Sequence, residues 1–132
     1  MIFIAVAVGG ALGAIGRYWL CAYVVPISGH QFPWGTLLVN IIGCLLIGFL
    51  YHLMGHSVAE KLPLTPYWRA FLTTGFLGGL TTFSTFSLEA IILWQQINSM
   101  NALLYVMTSL IGCLSAVVLG LWLAAKMAES LL

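Results

Sequence analysis

Asn40, in the run Leu37-Leu38-Val39-Asn40-Ile41-Ile42-Gly43, is a primary amide in the middle of an apolar stretch. Left unpaired in hydrocarbon it would cost a few kcal/mol. It either bonds to a neighbouring helix or offers its NH2 donors to something passing. Thr36 lies one turn earlier on the same helical face. Further along, GFLGGLTTFSTFS at 75–87 holds five hydroxyl residues (Thr81, Thr82, Ser84, Thr85, Ser87), three glycines and three phenylalanines. Tyr105, Ser109 and Cys113 then fall at i, i+4 and i+8, a narrow stripe on one helix. A helical hydroxyl often bonds back to its own i−4 carbonyl, so each alone says little. Together with Asn40 they suggest a polar track. Phe83 and Phe86, at i and i+3, share a face beside these hydroxyls. An aromatic ring has a negative face and a positive edge. Ring edges with hydroxyl and amide donors can replace part of an anion's water without a fixed positive charge. A bare ion in low dielectric costs tens of kcal/mol, so such compensation is required, yet it must let the ion leave.

Three further features carry charge or partial charge. Gly78-Gly79 is a weak helix point, and the hydroxyls after it can satisfy backbone groups freed by a break. Carbonyls ending a half-helix point outward as partial negative charges and can hold a cation. Arg17, two-thirds along the first apolar stretch, has two readings: it snorkels to the interface, or it forms an electropositive vestibule for anions. Glu89 is the one acid at depth; it pairs with Arg17, pairs with hydroxyls, or sits near the membrane surface.

These residues are set in a chain that is 62% hydrophobic and 5% charged over 132 residues. A soluble domain carries roughly 25% charged residues; the deficit defines an integral membrane protein, all-α in class. A bilayer core of about 30 Å takes roughly 20 apolar residues as a helix. Four segments qualify, at about 2–25, 34–54, 68–96 and 101–128, making a single transmembrane domain. The first lacks a basic n-region and reads as a retained span rather than a signal peptide. A net charge of +1 argues against nucleic acid as a partner. Four spans put both ends on one side, with Lys61, Arg69 and Lys126; this thin bias permits insertion in either orientation. Cys21, Cys44 and Cys113 are scattered in apolar surroundings and read as small core residues. Small residues recur at four-residue spacing (Gly9/Gly13, Cys44/Gly48, Gly112/Ala116/Gly120), which lets helix backbones approach within one subunit or between subunits.

The run GGLTTFSTFS followed by Glu89, the Gly-Gly-x-x-Gly-Ala-x-x-Arg-Tyr run at 9–18, and Gly-Thr-x-x-x-Asn-x-x-Gly from Gly35 to Gly43 resemble the Fluc fluoride channels, also called CrcB. The likeness covers essentially the whole chain. It implies a passive, fluoride-selective channel exporting fluoride from the cytoplasm across a bacterial inner membrane. It also implies an antiparallel, dual-topology homodimer with two pores and a third helix broken mid-membrane. A central sodium ion would be held by the backbone carbonyls of Gly78 and Thr81. Phe83 and Phe86 would be the pore phenylalanines and Asn40 the pore amide, with Thr36, Ser84, Tyr105 and Ser109 along the fluoride path. Arg17 would lie toward the vestibule. Cys113 stands where some relatives carry a further hydroxyl. The alternatives are a small proton-coupled multidrug exporter, which would need Glu89 as its proton carrier, and a non-transporting membrane assembly subunit. No nucleophile–base pair or metal cluster points to an enzyme.

Overall fold

A computed structural model describes residues 1–28, 32–55 and 65–131. Gly29, Glu60 and Lys61 lie outside the described residues. The described chain is helical: α1 (Ile2–Ser28), α2 (Trp34–Leu53), α3 (66–80), α4 (Phe83–Gln96) and α5 (Ser99–Leu131). Among the described residues four helical stretches are long and apolar enough to cross a membrane: Ile2–Val24, Trp34–Leu53, Pro66–Gln96 and Ser99–Ser130. Pro26, read as part of the first connection, falls inside α1, which extends to Ser28.

The helix ends show local reasons for their positions. Pro66 stands at the start of α3, where its missing N–H removes nothing a helix would use. Arg69 Nη2 donates to the Met54 carbonyl at 3.1 Å. It thereby places a cation on the orphan carbonyls ending α2. Asn98 Oδ1 accepts the Asn101 N–H at 2.7 Å, an N-cap that starts α5. Within α3, Phe71–Leu77 is π-helical, and Thr73 Oγ1 donates to the Arg69 carbonyl at 2.8 Å.

Small residues set how the helices meet. A Cβ on Gly79 would lie 2.5 Å from the Gly10 carbonyl oxygen, and one on Gly9 2.5 Å from that of Phe71. Gly13 likewise sits against the Phe76 carbonyl, so α1 and α3 pack backbone to backbone. On the other side of the bundle Gly48 sits under the Val117 carbonyl and Gly120 under that of Leu45. Of the two uses open for the small-residue stripes, Gly9, Gly13, Gly48 and Gly120 serve packing inside the subunit. In lipid, close packing substitutes for a hydrophobic drive between helices.

The buried core is correspondingly thin. Leu37, Leu93, Ala102 and Tyr105 form its cluster, with Phe32, Ile41, Phe86 and Ala90 packed against it. Large apolar side chains such as Phe3, Ile15, Leu114 and Val118 point outward, as expected where the surroundings are hydrocarbon.

Candidate functional site

The third span carries two non-helical residues where the hydroxyls begin. Thr81 (φ −82°, ψ 157°) and Thr82 (φ −151°, ψ 116°) are extended, between α3 and α4. The weak point read from the sequence was Gly78-Gly79, but both residues are helical, with Gly78 at φ −63°, ψ −33°. The displacement has a visible cause in Asn40. Its Oδ1 accepts the Thr82 N–H at 2.8 Å and its Nδ2 donates to the Thr82 carbonyl at 3.1 Å. The amide pairs one residue of chain as a strand neighbour would. In a continuous helix the Thr82 N–H would bond the Gly78 carbonyl; its turn to Asn40 releases that carbonyl. Gly43, three residues beyond Asn40, makes the approach sterically possible, because a Cβ there would collide with Thr81 Cγ2. The Asn-x-x-Gly spacing thus supplies one residue that pairs the backbone and another that admits it.

Thr82 is the hub of a hydroxyl cluster. Its Oγ1 accepts the Thr85 N–H at 3.2 Å, donates to Thr85 Oγ1 at 3.0 Å, and lies 3.2 Å from Ser84 Oγ. It is the N-cap of α4, so the restart of the helix and the amide lock meet in one residue. Thr81 Oγ1 turns back to the Leu77 carbonyl at 3.0 Å. Ser87 Oγ does the same toward Phe83 at 2.8 Å.

A second knot sits on the far side of the aromatic rings. Glu89 accepts from Thr36 Oγ1 at 2.9 Å on Oε1 and from Tyr105 OH at 2.7 Å on Oε2. Among its three readings, pairing with hydroxyls is the one observed. Arg17 is half-buried on α1 and makes no hydrogen bond or ion pair among the described residues. Phe83 and Phe86 are 5.5 Å apart between centroids, and Phe86 stands 5.3 Å from Tyr105. Tyr105 in turn meets Phe32 edge-on at 5.4 Å and 86°. Phe83 is 77% exposed on the isolated subunit, so its ring projects outward while Phe86 lies against the core.

Between these features runs an open cleft of about 400 Å³, whose lining includes Asn40, Thr82, Phe83, Phe86 and Ser109. Gly78 and Thr81 line it as well. Ser109 Oγ is buried and has no partner among the described residues, although a hydroxyl in such a place ordinarily finds one. Of the candidate residues, Asn40, Phe83, Phe86, Ser109, Gly78 and Thr81 come together here. Thr36 and Tyr105 are held by Glu89, Ser84 belongs to the Thr82 cluster, and Arg17 stands apart. Thr82 and Gly43 were not among the residues the sequence placed in the fluoride path, and Glu89 was read there only as an acid at depth. A signal for Thr82 existed, since Thr is among the residues favoured at a helix N-cap.

Four apolar spans define a multi-pass membrane protein, and the second, third and fourth of them line an uncharged, mostly apolar cleft that carries a few amide and hydroxyl groups beside two aromatic rings. Residues 4–121 match the family described as CrcB-like protein, Camphor Resistance (CrcB), and the chain belongs to that family. It is 49% identical over 118 residues to a protein of Hahella chejuensis named fluoride-specific ion channel FluC, covering 88% of each chain. Relatives of the same name from Rhizobium meliloti (44% identical, 92% of this chain and 94% of the relative) and Saccharophagus degradans (41%, 96% and 92%) match similarly.

Proposed function

We propose that the protein is a fluoride-selective passive channel of the bacterial inner membrane, letting fluoride out of the cytoplasm and so relieving its toxicity. The observation that carries this reading is the cleft itself: Asn40, the rings of Phe83 and Phe86, and a Ser109 hydroxyl with no partner among the described residues converge without a fixed charge. Such a lining can exchange for an anion's water while binding weakly enough to release it. Relatives named as fluoride-specific channels across nearly the whole chain do not favour the exporter or the assembly subunit.

The functional unit in this reading is an antiparallel, dual-topology homodimer with two pores, the extended step at Thr81-Thr82 being a mid-membrane break of the third helix. The outward ring of Phe83 and the open cleft are surfaces that a second copy would complete. The donor set at the break fits a sodium ion. The Gly78 carbonyl is released by the turn of Thr82 N–H to Asn40, and the Thr81 hydroxyl is already spent on Leu77, leaving its carbonyl. Hard oxygen donors suit an alkali cation; with a second copy the two carbonyls of each chain would hold it and tie the subunits together. Along the path Asn40 keeps one N–H beyond its bond to Thr82, Ser109 offers its hydroxyl, and the Glu89 knot fixes Tyr105 and Thr36 in place. Ser84 supports the Thr82 cap, and Arg17 draws anions toward the entrance.

Reconstitution tests the reading directly. Liposomes bearing the purified protein should pass fluoride and not chloride, with no proton gradient. Equal chloride flux, or fluoride movement only with a pH gradient, would overturn it.

A further inference from the structure

Two stripes of polarizable side chains face each other across α2 and α5. On α2 they are Thr36, Asn40 and Cys44; on α5 they are Tyr105, Ser109 and Cys113. The first rung is closed by Glu89, which takes hydrogen bonds from Thr36 and Tyr105. The second, Asn40 and Ser109, lines the cleft. One turn past the third, Gly48 lies under the Val117 carbonyl. Each pair is separated by the same length of chain, so the two helices run parallel and in register, and the backbones are closest just beyond the cysteines. At the third rung Cys44 and Cys113 face the same cleft from the two helices, between the rung closed by Glu89 and the close approach of Gly48 to Val117. Both are free and both line the cleft.

We propose that Cys44 and Cys113 form a two-thiol site for a soft d10 metal ion, and that a metal held there closes the cleft. Thiolates select soft cations over the hard ions that oxygen donors hold. Mercury(II) suits this pair because of charge. Each thiol gives its proton to water in the cleft, two S–H bonds break, and two Hg–S bonds form. The product, one Hg2+ with two thiolates, is neutral, so it avoids the cost of a net charge in low dielectric. It would sit four residues, about 6 Å of helix axis, from Asn40 and Ser109. The obstruction half of the proposal rests on the fluoride-channel reading; the binding half does not.

The test uses the full-length protein carrying Cys21→Ser, which leaves Cys44 and Cys113 as its two thiols. Protein equilibrated with mercury(II) in excess 2-mercaptoethanol and then gel-filtered should retain one mercury per chain and show the near-ultraviolet thiolate-to-mercury band. Adding Cys44→Ser or Cys113→Ser should reduce retention on the order of a hundredfold, because a lone thiol loses the effective concentration of its neighbour. Alanine variants repeat the comparison should a serine form not elute as a single species. Retention equal in the single variants, or none in the two-thiol protein, overturns the site. In liposomes, mercury should stop fluoride efflux through the two-thiol protein, a dithiol chelator should restore it, and both single variants should resist. Mercury retained with efflux unchanged overturns the obstruction. If the metal-free protein passes no fluoride, the channel reading fails, and retention alone still judges the site.

Discussion

Replacing Asn40 by Leu removes both bonds that hold Thr82 while keeping the side chain's approximate bulk. The Thr82 N–H and carbonyl would then lose partners at 2.8 and 3.1 Å. Thr82 is only 8% exposed, so water from the cleft replaces them only in part. An unsatisfied buried polar group costs about 1–3 kcal/mol, and two of them about 2–6 kcal/mol. Against a typical stability of about 5–15 kcal/mol that is a large share. The unfolding midpoint in detergent should fall on the order of 10 °C. Fluoride efflux per folded protein should drop as well, because a hydrogen bond to a charged group is worth about 1.5–3 kcal/mol, or roughly tenfold to a hundredfold. Asn40→Asp separates the two roles. Its retained oxygen still accepts from Thr82 N–H, so only one bond is lost, about 1–3 kcal/mol. A carboxylate in the cleft would nevertheless repel the anion, so efflux should fall further than stability does. The assay is fluoride efflux from liposomes beside a thermal scan of the same preparations. An Asn40→Leu protein with wild-type midpoint and wild-type efflux would refute the amide lock. A lowered midpoint with unchanged efflux per folded protein would keep the lock and remove Asn40 from the ion's path.

Phe83→Ile and Phe86→Ile keep bulk but lose the positive ring edge, so efflux should collapse while the protein still folds; full efflux in both would leave the rings as packing. Gly13→Ala should destabilise the subunit by about 1–3 kcal/mol, because the new methyl meets Phe76 and Leu80 backbone. Gly78→Ala meets only the Thr73 carbonyl at 3.7 Å and should leave the midpoint near wild type while raising the sodium concentration needed for half-maximal efflux. Sodium-independence of both wild type and variant would show that the released carbonyls hold no cation. A cysteine at Asn101, in a background without the native three, should be labelled from both sides of intact membranes; labelling from one side only would refute dual topology.

Much of this site was present in the residue types. Asn40 demanded a partner, and the hydroxyls after Gly79 were suited to a freed backbone. The partners themselves were not readable. Asn40 meets Thr82 across 42 residues and Thr36 meets Glu89 across 53, distances over which no local spacing rule operates. The step in the third span fell two residues beyond the glycines for the same reason. Glycine lowers the local cost of leaving a helix, but the peptide that actually leaves is the one for which an outside partner waits.

By itself the sequence determined the four spans, the helical class, the polar groups that hydrocarbon must not leave unpaired, and the small residues that allow close packing. Hydropathy and helical periodicity act within a turn or two, and they suffice for those features. The tertiary structure decided the rest. Gly48 and Gly120 bring α2 against α5 in parallel register, Gly43 admits Thr81, and only at that separation can Asn40 span to Thr82 while Cys44 and Cys113 line one cleft. Hydrogen bonds act over about 3 Å, so they are fixed by where backbones cross. That crossing is a property of packed helices and not of any one segment.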